Sequence, residues 1–127
     1  MKRFPIFSIL VVLLLSSFSA QNRWVFVADK IVDFGVDRDI ITVRGNDAFT
    51  KLKLRITDAP LKMLDMDIIF ENGEHLRVPL QYNFNQGEES RAIDLPGRAR
   101  RIKRIEFLYE TKGILRGKAR VAVWGHR

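Results

Sequence analysis

The chain has 127 residues, is 46% hydrophobic and 29% charged, and carries a formal net charge of +7. That length allows one domain, and an apolar fraction of this size can fill a core, which excludes collagen-like, low-complexity and wholly disordered chains. The absence of cysteine excludes disulfide scaffolds, thiolate zinc sites, iron–sulfur clusters and thiol nucleophiles.

Lys2 and Arg3 precede an uncharged run from Phe4 to Phe18, and Ser16, Ser17, Ser19 and Ala20 supply small residues at its end. This is the pattern of a secretory leader, which predicts a signal peptide over residues 1–20 and a single mature domain over 21–127. The run of about 15 residues contains Pro5 and falls short of the roughly 20 that a spanning helix needs. Membrane contact is therefore expected only in transit. Without cysteine or an Asn-x-Ser/Thr sequon, the exported chain suits a bacterial periplasm or cell exterior.

Beyond the leader the apolar residues recur with a period near two, the mark of half-buried strands. The predicted strands are Trp24 to Val27, Ile40 to Val43, Lys51 to Thr57, Met63 to Phe70, Leu76 to Leu80, Arg91 to Leu95, Ile105 to Tyr109 and Ala119 to Trp124. Turn signals separate them at Gly45-Asn46-Asp47, Asp58-Ala59-Pro60, Asn72-Gly73, Gly87, Pro96-Gly97 and Lys112-Gly113. About eight short strands at this spacing predict an all-β fold, an antiparallel β-sandwich of jelly-roll-like or immunoglobulin-like type. In Lys51 to Thr57, Leu52, Leu54 and Ile56 face a core, while Lys51, Lys53, Arg55 and Thr57 face water.

One hairpin can be placed to the residue. A two-residue Asn72-Gly73 turn would set the apolar sides of its strands on opposite faces. A three-residue loop, Glu71-Asn72-Gly73, pairs Ile68 with Leu76, Met66 with Val78 and Leu64 with Leu80, and puts Gly73 at the left-handed position of a bulge. Pro79 then faces outward opposite Asp65, which marks its strand as an edge or a bulged one.

Charge is uneven. Residues 21–90 hold 9 Lys/Arg against 12 Asp/Glu, and residues 91–127 hold 11 against 3. Arg98, Arg100, Arg101, Lys103 and Arg104 form one cluster, and Lys118 and Arg120 lie on the last strand. If the last two strands are adjacent, these side chains line one face suited to a polyanion. The plain alternative is solubility and pairing with the acidic first half. Nucleic acid is disfavoured as the partner, because the aromatics are not interleaved with the basics; Phe107 and Tyr109 are expected in the core. In the last strand Ala119, Val121 and Val123 share one face and Lys118, Arg120, Ala122 and Trp124 the other. Trp124 is thereby a candidate exposed aromatic, able to stack on a sugar ring or sit at a membrane interface. The competing reading has Trp24 and Trp124 closing the end of the sandwich.

Other constellations point to structure. Arg91 and Asp94 fall on opposite faces of a strand, with Asp94 expected to serve the Pro96-Gly97 turn and Arg91 to pair with Glu88 or Glu89. Asp29, Asp33, Asp37 and Asp39 lack the Asp-x-Asp-x-Asp-Gly pattern of a calcium loop. His75 and His126 have no zinc-binding spacing, and Ser90 has no nucleophile elbow to use with either. No metal or cofactor is expected.

Gly87 to Gly97 with Arg101 to Tyr109, together with Trp24, Asp37 to Val43, Asn72-Gly73 and Ala119 to Gly125, resembles a group of small exported bacterial proteins, domain of unknown function 2541, the YaaI-like proteins. The resemblance spans nearly the whole mature chain. It implies an exported β-rich domain and carries no catalytic residues.

Together these features favour a non-catalytic binding module contacting an anionic glycan, a lipid headgroup or an acidic protein through its basic C-terminal residues. An accessory subunit pairing by an edge strand or as a homo-oligomer is the alternative. A hydrolase using Asp65, Asp67 or the early aspartates as acid and base is the remaining enzymatic option.

Overall fold

The computed structural model describes residues 23–32, 35–111 and 118–127, and among these the alternation of inward and outward residues is realised as ten strands and no helix. The leader, Asp33 and the Lys112-Gly113 turn lie outside the described residues. The strands are β1 (Trp24–Ile31), β2 (Val36–Thr42), β3 (Ala48–Phe49), β4 (Lys51–Thr57), β5 (Leu61–Phe70), β6 (His75–Val78), β7 (Tyr82–Phe84), β8 (Ile93–Asp94), β9 (Arg100–Glu110) and β10 (Arg120–His126). All eight expected strands are present, β4 with the expected ends and the others with shifted ones; β3 and β7 are additional.

Two antiparallel sheets make a β-sandwich. One has the order β1-β10-β4-β8; the other has the order β2-β9-β5-β6, with β3 on β9 and β7 on β5. The core lies between them. Leu52, Leu54, Ile56, Val121 and Val123 meet Met63, Met66, Ile68, Ile102, Ile105, Phe107 and Tyr109, all buried. Lys51–Thr57 alternates as expected, and β10 does so except at Ala122, expected outward but buried between its larger neighbours.

The β5–β6 hairpin pairs Met66 with Val78 and Ile68 with Leu76. Its loop closes through Gly73 N–H to Phe70 O at 2.9 Å and Phe70 N–H to Glu74 O at 2.9 Å, with Gly73 at φ +89°, a conformation that glycine adopts without steric cost. The expected Leu64–Leu80 pair does not form. The ladder shifts register between Met63 and Asp65, so Leu64 is the extra residue of a bulge, and the inward set changes from Leu61 and Met63 to Met66, Ile68 and Phe70. A bulge absorbs such a phase change at the cost of one unpaired residue. Past Val78 the chain turns through Leu80 N–H to Val78 O at 2.9 Å, and Pro79 falls outside the ladder at the sheet edge.

The two sides of the sandwich are closed differently. On one side Lys30 of β1 meets Asp39 of β2 at 3.6 Å, and Asp39 accepts from Tyr109 Oη at 2.9 Å. On the other, residues 85–91 strap the sheets together along β4 beyond the Lys51–Leu52 stretch that pairs with β8. Ile56 N–H donates to Glu88 O at 2.9 Å, Ser90 N–H donates to Leu54 O at 2.8 Å, and Leu54 N–H donates to Ser90 Oγ at 2.8 Å.

Candidate functional site

The basic cluster does not form one face. β9 and β10 follow one another in sequence but lie in different sheets, so Arg120 and Lys118 belong to the four-stranded side while Arg100, Arg101, Lys103 and Arg104 ride on β9. The condition for a single patch, adjacency of the last two strands, fails.

Several of these cations are also engaged. Arg100 stacks 4.0 Å from the centre of the Phe70 ring, lies 3.4 Å from Glu74 and donates to Pro96 O at 3.3 Å. Arg104 pairs with Glu106 at 3.6 Å. Arg120 donates to Asp29 at 2.8 Å and lies 3.5 Å from Asp58; its pKa is pushed further up by the hydrogen bond and charge of Asp29, with Asp58 adding to it. Arg98, Arg101 and Lys103 are exposed. The structure therefore converts a linear cluster into fixed structural arginines and a scatter of solvated charges.

A second grouping forms on the outward face of the four-stranded sheet. Register sets it in rows: Trp24 beside His126 beside Lys51, then Phe26 beside Trp124 beside Lys53, then Asp29 beside Ala122 beside Arg55. Side chains directly opposite in an antiparallel pair share a face, so two rows of rings run across β1 and β10, bordered by the outward cations of β4. Trp24 meets His126 edge-on with centroids 5.1 Å apart, and Phe26 meets Trp124 edge-on at 5.6 Å. Lys53 Nζ sits 4.5 Å from the centre of the Trp24 ring and 3.1 Å from Glu89. Phe26 is 52% exposed. Trp124 does face outward beside cations, and it stands on the sheet surface rather than closing the end of the sandwich.

The inner side of the same strand explains its position. Gly125 points inward under Phe49 of β3, and a Cβ there would come within 2.6 Å of Phe49 Cε1 and 2.8 Å of Cγ. The missing side chain lets β10 lie close under the Phe49 ring, and strand alternation turns Trp124 and His126, its neighbours on either side, outward.

The remaining candidates are dispersed. Asp65 binds Arg77 at 2.9 Å and Asp67 meets His75 Nδ1 at 2.8 Å, both on the outer face of the six-stranded sheet. Asp67 Oδ1 is buried without a hydrogen bond. Asp29 and Asp39 are taken by Arg120 and Tyr109, and among the described residues no three His, Cys, Asp or Glu side chains come together to hold a metal ion. Ser90 Oγ donates to Arg91 O and accepts from Leu54 N–H. Arg91 is exposed and not paired as expected, because Glu88 is held by Tyr82 and Asn85 and Glu89 by Lys53.

Residues 6–125 match the family model of domain of unknown function DUF2541. The chain belongs to this family. No curated protein matches it. Among solved structures it is similar to part of Pseudomonas aeruginosa AlgX, at 12% identity and a TM-score of 0.46, covering 81% of this chain and 26% of that one. It is also similar to part of a structure of infectious bursal disease virus Gx strain, at 14% identity and a TM-score of 0.38, covering 81% of this chain and 31% of that one. The chain thus covers about a quarter to a third of the length of each of those chains.

Proposed function

We propose that this DUF2541 domain is an exported, non-catalytic binding module that takes an anionic glycan of the bacterial envelope on the outward face of its four-stranded sheet. One observation carries the reading: Trp24, Phe26 and Trp124 stand in cross-strand pairs on a solvent-facing surface, with Lys51, Lys53 and Arg55 in the adjacent strand. The core does not need these rings, since it is filled from the other side of each strand. Aromatic faces take the apolar faces of sugar rings, and neighbouring cations take carboxylate or sulfate groups. Rings standing on a pleated sheet make a surface rather than a pocket, which suits an extended polymer.

The test is retardation of the protein by soluble polygalacturonate, with dextran as the neutral control. Binding by the polyuronate alone is expected. Trp124→Ala and the pair Lys51→Ser, Arg55→Ser should each weaken it about tenfold, or about 1.4 kcal/mol. Equal retention of all variants overturns the reading, and so does binding to phosphatidylglycerol vesicles without binding to polyuronate.

Phe26 and Ile31 favour a second reading, because both are about half exposed on the edge strand β1. An exposed apolar edge invites strand addition by a partner or a second copy. A stable dimer by solution mass measurement, broken by Phe26→Lys, would support it at the expense of the glycan surface.

A further inference from the structure

β7 sets one asparagine, a residue depleted in strands, between two aromatics that favour them, and it forms part of the edge of the six-stranded sheet. Edge strands are commonly guarded by charged side chains, lysine above all. Here the sequence alternates Gln81-Tyr82-Asn83-Phe84-Asn85. Phe84 is buried against the core, and Gln81 and Asn83 project outward, with Asn83 opposite Lys62 of β5. The carboxamides of Gln81 and Asn83 make no hydrogen bond to another described residue.

These amides line a cleft of about 470 Å³ with Lys62, Tyr82, Asn85 and Glu88. The Leu64 bulge lies in its floor. Its far wall is tied by two hydrogen bonds: Tyr82 Oη donates to one Glu88 carboxylate oxygen at 3.0 Å, and Asn85 N–H donates to the other at 3.0 Å. The Tyr82 ring, 49% exposed, is braced edge-on against Phe84 with centroids 4.7 Å apart. Lys62 and Glu88 offset each other, so the cleft has no net charge to select an ion.

We infer that this cleft is a second binding site, for a neutral saccharide of one or a few rings. Each primary carboxamide donates and accepts at once, which matches the donor and acceptor pattern of vicinal hydroxyls. The braced tyrosine offers a ring face beside them, and the volume falls within the range of small-molecule sites. A lining rich in amides and poor in aliphatic side chains suits a hydroxylated ligand and not an apolar one. The site is separate from the aromatic rows, on the opposite sheet, and stands without them.

The experiment is titration of the isotope-labelled protein with tetramers of β-linked glucose, β-linked N-acetylglucosamine and α-linked mannose, followed by nuclear magnetic resonance. Saturable shifts of the Gln81 and Asn83 side-chain amide signals with at least one tetramer are expected. The variant Gln81→Ala with Asn83→Ala should bind that tetramer at least tenfold more weakly, with its remaining backbone signals undisturbed as evidence of an intact fold. The inference is overturned if no tetramer moves these signals, or if the double variant binds as well as the parent. Shifts of the β7 backbone amides by an extended Gly-Ser peptide, with none from the saccharides, overturn it in favour of strand addition. Polyuronate binding reads the other sheet, so either proposal can fail alone.

Discussion

The outward faces of the two sheets are built from the same alternation and end up chemically unlike. On the six-stranded sheet, charge comes in partners: Asp65 with Arg77, Asp67 with His75, Arg104 with Glu106. The four-stranded sheet also has paired charges, Lys53 with Glu89 and Arg120 with Asp29, but there rings meet rings across β1 and β10, and Lys51 and Arg55 on the border make no ion pair among the described residues. Paired cross-strand charges help fix register and keep a face soluble while adding little stability each. Outward tryptophans do neither task well. The contrast teaches that solvation accounts for one face and leaves the other unexplained until a ligand or partner is placed on it.

The sharpest way to break this comparison is to exchange the roles of neighbouring residues in β10. Gly125 faces in and Trp124 faces out. Gly125→Ala adds one methyl group under the Phe49 ring, where a Cβ has no room, and should destabilise the fold by about 1–3 kcal/mol, as overpacking does. Trp124→Ala deletes a whole ring system, yet is expected to lose chiefly its edge-on pair with Phe26, about 0.5–1.5 kcal/mol. Urea denaturation of both variants checks the ordering. A larger loss from Trp124→Ala than from Gly125→Ala would mean that the aromatic rows are part of the core.

How much of this was legible depends on whether a feature is local. β4 is read correctly because Leu52, Leu54 and Ile56 alternate without a break, and the β5–β6 turn because only one loop length keeps both strands facing the core. The Leu64 bulge is invisible in sequence, since apolar residues at 61, 63, 64, 66, 68, 69 and 70 satisfy either phase. β7 is hidden by its brevity and by the amides Gln81, Asn83 and Asn85 in and around it, and pairing with β5 overrides their low strand propensity. Trp124 is legible as an outward residue from Ala119, Val121 and Val123. Its partners Trp24 and Phe26 are not, because they depend on the register of β1 against β10, which pairs the two ends of the domain. The basic cluster fails for the same reason: proximity along the chain does not reveal which sheet a strand joins.

Salt sharpens the comparison at smaller amplitude. A double-mutant cycle on Asp65 and Arg77 should give a coupling of about 0.2–1 kcal/mol that shrinks as salt is raised, because Arg77 is largely exposed and exposed charges are screened. The corresponding cycle on Phe26 and Trp124 should give a coupling that salt leaves unchanged, since the ring quadrupoles carry no net charge. If both couplings fall together, the two faces are held by the same electrostatics and the distinction between them is lost.

The smallest effect concerns the strap that joins the sheets. Glu88 accepts from Asn85 N–H and from Tyr82, and these bonds hold its pKa below the usual 4.5, the Asn85 backbone bond contributing most. Tyr82 is shifted the other way, above 10.0, first by its hydrogen bond to Glu88 and then by that carboxylate's charge. A depressed carboxyl stabilises the fold above its unfolded pKa and loses that contribution as pH falls through the folded value. A raised phenol stabilises below its unfolded pKa and loses its contribution as pH rises through the folded value. The strap is therefore tightest between these limits and loosens on the acid side below 4.5 and on the alkaline side above 10.0. Glu88→Gln keeps the shape and removes the charge. It should flatten thermal stability against pH at both ends and bring the ultraviolet titration of Tyr82 back toward 10.0. An unchanged Tyr82 titration would show that Glu88 does not reach the phenol in solution, and the far wall of the β7 cleft would then be mobile where the four-stranded face is braced ring against ring.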